Sequence, residues 1–243
     1  KPADPIIVHP DVRKMLLTAK AYAEGGRALA IYCAVLLDKE HSHPDEKVRK
    51  DSGEMLSLLT PIVKAFLTDN GHIATNMCMQ VFGGHGFIKE WGMEQFVRDN
   101  RINMIYEGTN TIQSLDLLGR KVLGNNGATL TKFGKLIGQL VAEEGVNEKM
   151  AEFITPIAIL GEQMTKFTTE LGFKAFQNPD EVGAAAVDYL RVAGHLVFGY
   201  FWARMAQTAL QHIASGNDEQ FHLANLQTAR FYFAKLFPEA ATL

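Results

Sequence analysis

The chain has 243 residues, room for one large domain or two smaller ones, and its 47% hydrophobic and 21% charged content excludes a disordered segment. A formal net charge of −3, with the 24 basic residues scattered, leaves no electrostatic footprint for nucleic acid. The cysteines are Cys33 and Cys78, both in helix-like segments, which excludes a disulfide framework and fits a reducing compartment such as the cytoplasm.

The opening Lys1-Pro2-Ala3-Asp4-Pro5 lacks both a starting Met and the apolar core of a signal peptide, so a piece of a longer polypeptide is expected. From Val12 the apolar residues Met15, Leu16, Ala19, Tyr22, Ala23, Ala30, Cys33 and Leu37 recur at helical spacing. Gly25-Gly26 within this run reads as a place of close helix packing. His41-Ser42-His43-Pro44-Asp45 closes the helix and opens the next. His41 and His43 with Asp45 and Glu46 have the residue types of a metal site, but no further ligands sit nearby, and a solvated linking loop is the reading. A second helix is predicted from about Glu46 to Leu58. Thr60-Pro61 then reads as N-cap and first turn of another, whose inner face holds Ile62, Ala65, Phe66, Ile73, Met77 and Val81. Gly83 to Gly86 stop it.

A short helix from about Met93 to Asn103 follows. Thr109 or Asn110 caps the next, which ends at Leu123-Gly124. Asn125-Asn126-Gly127 is the clearest punctuation in the chain and predicts a boundary between domains 1–124 and 125–243. Beyond it, Phe133, Leu136, Ile137, Leu140 and Val141 form one apolar stripe, and Leu160, Met164, Phe167 and Leu171 another. Long helices are predicted over about Glu181–Ser215 and Asn217–Phe237, the last ended by Pro238. Arg191 and Arg204 flank only the apolar run Val192–Ala203, too short for a membrane span, so a buried bundle helix is expected. His195 there reads as a satisfied core histidine, and Phe198, Tyr200, Phe201 and Trp202 as core or interface. No stretch alternates with a two-residue period. The chain is predicted to be all-α.

Two segments bear on chemistry. Gly83-Gly84-His85-Gly86 alone is a helix C-cap and turn; a helix rather than a strand precedes it, which excludes a dinucleotide-fold phosphate loop, although its N–H groups could meet a pyrophosphate. Downstream, Glu107 stands in Ile105-Tyr106-Glu107-Gly108-Thr109-Asn110, between an aromatic ring and a glycine that lets a substrate approach the backbone. That is a setting for a general base.

The run Gln80-Val81-Phe82-Gly83-Gly84-His85-Gly86, then Arg98-Asp99-Asn100-Arg101-Ile102, then Tyr106-Glu107-Gly108-Thr109-Asn110-Thr111-Ile112-Gln113 resembles the acyl-CoA dehydrogenase family in order and spacing. The match spans about Pro10 to Leu123, the family's C-terminal helical domain, and implies an antiparallel helical bundle followed by a second bundle. It implies Glu107 as the catalytic base that takes the α-proton of an acyl-CoA thioester while hydride passes to FAD. It further implies Gly108 at the substrate, and Thr109 and Asn110 along the FAD diphosphate and ribityl chain. Gln80, Gly83 and Gly84 would touch the FAD of a neighbouring subunit, hence a homodimer or homotetramer. The family's usual electron acceptor is an electron-transferring flavoprotein. The chain departs from the family pattern at Gly92, Thr111 and Ser114. Arg98 and Asp99 are expected to hold the fold as an ion pair, and Tyr106 to pack in the core. The family's N-terminal helical and β-rich middle domains are absent from the sequence, so a fragment inactive alone is expected. Residues 125–243 resemble the added helical domain of a larger bacterial-type subgroup, which includes enzymes acting on 3-methylmercaptopropionyl-CoA. Two other readings stay open: a non-catalytic helical oligomerisation or interaction module, and a membrane-associating helical domain.

Overall fold

Pro10 opens α1 (Pro10–Ser42) where a missing N–H leaves no bond unmade. In the computed structural model, which describes residues 3–243, α1 ends with His43 N–H bonded to the Lys39 carbonyl. Lys1 and Pro2, the start of the expected first domain, lie outside the described residues. Asp45 then caps α2 (Glu46–Val81), its carboxylate accepting from Lys47 N–H at 2.8 Å. Two long helices joined through so short a turn, and packed along their lengths, run antiparallel.

The helix break predicted at Thr60-Pro61 does not occur: α2 is continuous through Pro61. Leu58, Leu59, Pro61, Ile62, Ala65 and Phe66 are all buried, so packing on both sides of the proline outweighs its missing backbone bond. Thr60 does not act as a cap; its hydroxyl donates back to the Leu56 carbonyl at 2.7 Å. The inner face also stops short of the prediction: Ile73 is exposed, and Met77 and Val81 are only partly covered.

Short 3-10 turns follow α2, then α3 (Met93–Ile102), the Glu107 loop and α4 (Asn110–Leu115), which continues through a π-helical turn, Asp116–Val122. At Asn126 (φ 54°) and Gly127 (φ 72°) the chain turns left-handed, and α5 (Ala128–Glu144), α6 (Ala151–Gln177), α7 (Asp180–Ala214) and α8 (Glu219–Phe231) complete the described helices. Pro238 does not end the helical structure; it starts a last 3-10 turn, Phe237–Ala241. The described residues contain no strand, and the fold is all-α. No helix among them is long and apolar enough to cross a membrane.

The central member is α7. Apart from Tyr200 its middle, from Ala193 through Phe198 to Ala203, is buried, and it packs on α1, α2, α4, α6 and α8. Glycines make that possible. A Cβ at Gly25 would stand 2.8 Å from Trp202 Nε1, and one at Gly194 would overlap the Phe66 ring, with Cγ at 2.5 Å. Phe66 of α2 and Phe198 of α7 meet edge-to-face at 4.8 Å. The ion pairs of Lys132 with Asp51, at 2.6 Å, and with Glu54 tie α5 to α2.

Candidate functional site

The loop between α3 and α4 is built by its backbone. Ile105 and Tyr106 N–H both donate to the Ile102 carbonyl, at 2.9 and 3.1 Å, which folds the end of α3 back on itself. Asn110 N–H closes the base of the loop on the Met104 carbonyl at 3.2 Å. Between these bonds the chain must reverse, and it does so through Glu107 (φ 55°) and Gly108 (φ 87°). The left-handed region is costly for a residue with a Cβ, so Glu107 is held by the structure around it. Part of that hold is visible: the Gln113 side chain donates to the Glu107 carbonyl at 3.3 Å. The N–H of Glu107 has no hydrogen-bond partner among the described residues. Its side chain is exposed.

Asn110 anchors this loop to α2. Its amide nitrogen donates to Asp69 Oδ1 at 2.6 Å and to Thr68 Oγ1 at 3.0 Å, while its oxygen accepts from Lys64 Nζ at 2.7 Å. The side chain is thus turned to α2 and fully engaged there. Thr109 is exposed and caps α4, accepting from Ile112 N–H at 3.4 Å. Burial holds the Lys64 ammonium below its ordinary pKa, against the pull of the Asp69 and Glu107 carboxylates. Burial raises the Asp69 carboxyl, opposed by the Asn110 hydrogen bond and then by Arg191.

Gln80, Gly83 and Gly84 are exposed at the far end of α2, and a Cβ at Gly83 or Gly84 would meet nothing within 4 Å. Gly83 has φ 60°; Gly86 is buried, and a Cβ there would overlap the Met79 carbonyl. The turn therefore needs Gly86 for its own shape and leaves Gly83 and Gly84 as open backbone.

Two expectations are overturned. Arg98 and Asp99 form no ion pair with each other; both are exposed, and Asp99 accepts instead from Gln95 Nε2 at 2.6 Å, one turn back on α3. Tyr106 is not core: it is 49% exposed, and its hydroxyl bonds Asn103 Oδ1 at 2.7 Å. A local turn contact satisfies the phenol, and no second layer of the described residues covers it. Phe87, Trp91 and Phe96 are exposed as well. The sequence reading missed Lys64, Thr68 and Asp69. Lys64 and Thr68 share a face at four-residue spacing, so a polar patch on α2 was legible, but not its partner Asn110.

His195 is a satisfied core histidine, 0% exposed. Its Nδ1 and the Tyr232 hydroxyl are 3.1 Å apart, and its Nε2 is 3.1 Å from Glu239 Oε2. Burial lowers its pKa, so the neutral ring donates from Nε2 to Glu239 and accepts from Tyr232.

Residues 2–123 match the family described as Acyl-CoA dehydrogenase, C-terminal domain, and residues 133–243 match Acetyl-CoA dehydrogenase C-terminal like. The chain is 39% identical to 3-methylmercaptopropionyl-CoA dehydrogenase of Ruegeria pomeroyi, over 98% of this chain and 41% of that protein. It is 29% identical to the broad-specificity linear acyl-CoA dehydrogenase FadE5 of Mycobacterium tuberculosis, over 95% of this chain and 39% of that one. The chain thus spans about two fifths of the length of these curated relatives. The fold is shared with an acyl-CoA dehydrogenase from Bacillus anthracis solved in complex with FAD, at TM-score 0.74 and 19% identity, over 100% of this chain and 41% of that one.

Proposed function

The chain belongs to the acyl-CoA dehydrogenase family, whose C-terminal domain it carries, and on that premise we propose that it is the C-terminal part of an FAD-dependent enzyme forming an α,β double bond in an acyl-CoA thioester. Residues 1–124 are the family's helical domain and 125–243 an appended helical domain. The observation that carries this reading is the presentation of Glu107: a carboxylate at the tip of a strained, anchored loop, beside Gly108, with its own N–H unpaired.

That arrangement serves proton abstraction. The Glu107 carboxylate takes the α-proton, and the electron pair of the broken C–H bond becomes the π bond between the α- and β-carbons. The unpaired Glu107 N–H donates to the thioester carbonyl and stabilises the negative charge that develops there. Gly108 keeps the path to that N–H free of a side chain. FAD, when bound, supplies the acceptor for the β-hydride. The open backbone of Gly83 and Gly84, with Gln80 beside it, fits one edge of such a cofactor shared with a neighbouring subunit of a homodimer or homotetramer. Thr109 lies at the loop edge next to Glu107, and Asn110, its side chain spent on α2, serves the cofactor site by holding that edge in place. We take the acceptor of the electrons to be an electron-transferring flavoprotein and the compartment to be the cytoplasm.

The test is Glu107→Gln in the full-length flavoprotein. FAD should stay bound while turnover falls by several orders of magnitude; retained turnover sinks the assignment. The chain alone should bind FAD weakly or not at all, and a stoichiometric yellow flavin spectrum from it would refute this. The exposed Phe87, Trp91 and Phe96 also suit a non-catalytic oligomerisation module. That reading predicts Glu107→Gln to be without effect in any assay.

A further inference from the structure

A chain of hydrogen bonds, joined across α2 by the peptide between Asp69 and Asn70, links the C-terminal helices to the Glu107 loop. Arg191 of α7 is bound bidentately by Glu239, with Nε to Oε1 and Nη2 to Oε2 both 2.8 Å. Its third contact reaches α2: Nη1 donates to Asn70 Oδ1 at 2.8 Å. Asn70 is buried, and its own amide returns to the Phe66 carbonyl at 2.8 Å. The next residue back, Asp69, accepts from Asn110, which closes the Glu107 loop. Glu239 is fixed in turn by His195, and His195 by Tyr232. The Arg191 guanidinium lies 5.0 Å over the Phe66 ring, so it cannot swing away without losing that contact.

We propose that Arg191 and Glu239 are positioning residues for the Glu107 loop, acting through Asn70–Asp69 on Asn110. The proposal rests on Glu107 being the base. The appended helices then do more than cover one side of the bundle: the Arg191–Glu239 pair, through its bond to Asn70, sets the stretch of α2 on which the loop hangs. A rigid support of this kind matters because a base displaced by a fraction of a bond length loses its alignment with the C–H bond.

The experiment compares Arg191→Met, Glu239→Gln and Lys132→Met in the flavin-loaded protein. Lys132→Met removes an ion-pair tie between the two segments, to Asp51 and Glu54, without touching Asn70. Two readouts are taken: hydrogen exchange of the bonded amides of Ile105, Tyr106 and Asn110, and the split between kcat and KM. Arg191→Met and Glu239→Gln should speed exchange at these amides about tenfold or more. They should lower kcat roughly 10- to 100-fold with KM and FAD content unchanged. Lys132→Met should do neither, and Arg191→Lys, which keeps the charge but not the bidentate fork, should recover only part of the loss. Unchanged loop exchange in both variants overturns the proposal, as does equal acceleration by Lys132→Met. If Arg191→Met does not fold, Glu239→Gln decides alone. The exchange readout is independent of the chemistry assigned to Glu107. Turnover retained by Glu107→Gln therefore sinks the base and leaves the coupling standing, whereas an inactive Glu107→Gln with an unmoved loop sinks the coupling alone.

Discussion

Gly194→Ala tests the joint between α2 and α7 on which the whole arrangement depends. A methyl group at this position would overlap the Phe66 ring, with Cγ only 2.5 Å and Cε2 2.7 Å away. Carbon atoms rest about 3.5–4.0 Å apart, so the ring, whose Cδ2 is nearer still, must retreat by more than about 1 Å. It has nowhere to go: Phe66 is 0% exposed, with Phe198 at 4.8 Å, His195 at 5.0 Å and Tyr22 at 6.3 Å between ring centroids. Overpacking of this kind costs about 1–3 kcal/mol, and the clash here belongs at the upper end. Replacing glycine by alanine inside a helix returns about 1 kcal/mol. The net expectation is a loss of about 1–2 kcal/mol, read as a lower urea midpoint at constant slope. Phe66→Leu would make room, so the double variant should be less destabilised than the sum of the singles by about 1 kcal/mol. A Gly194→Ala protein as stable as the parent, or an additive cycle, would refute the reasoning.

Glu239 supplies a pH signature. Its bonds to His195 and Arg191 lower its carboxyl from 4.5 to about 2. A depressed carboxyl stabilises the fold above its unfolded pKa and loses that contribution as pH falls toward 2. Full burial would make this roughly 3 kcal/mol, but the side chain is 39% exposed and screening reduces it to about 1–2 kcal/mol. Wild type should therefore exceed Glu239→Gln in unfolding midpoint at pH 6, with the gap closing between pH 4.5 and 2; a gap independent of pH contradicts this. Asp45→Ala removes the α2 cap and should cost about 1 kcal/mol by thermal unfolding; no change in midpoint would mean that the Lys47 N–H finds another acceptor. Gly86→Ala should lower the midpoint by roughly 4 °C or more, because the new Cβ overlaps the Met79 carbonyl. Gly84→Ala, with open space around it, should leave the midpoint unmoved and instead weaken FAD retention in the full-length protein; equal midpoints for the two variants would refute the distinction.

The long helices were legible because apolar residues at three- and four-residue spacing do not depend on tertiary context. The same local reading failed at Thr60-Pro61, where a good N-cap signal was overridden by burial of Leu58, Leu59, Pro61 and Ile62 on both sides of the helix. Glu107 and Gly108 could be singled out from their neighbours, and the left-handed backbone at both follows from the need to reverse the chain between bonds to Ile102 and Met104. What held them was not legible. Asn110 is bound by residues some forty positions upstream, and the Arg191 pair with Glu239 spans a separation of 48 residues. Local pattern fixes which face of a helix is apolar; it carries no information on which polar groups meet once those faces have packed.

If Glu107 is the base, as proposed, its surroundings divide the work of catalysis between this chain and whatever covers it. The chain supplies what depends on backbone precision: the loop reversal, the unpaired N–H and the anchored base of the loop. It does not supply dryness, since Glu107, Tyr106 and Ile105 all face solvent on this chain alone. A carboxylate in water is solvated by the molecules it must shed before it can meet a carbon acid, and a hydrogen bond to a developing enolate is worth most where water is excluded. The exposed Phe87, Trp91, Phe96 and Ile112 are apolar surface of the kind that marks a binding interface rather than a solvent face. On the proposed mechanism whatever covers the loop must also dry Glu107, and for that reason the proposed activity belongs to the assembled enzyme.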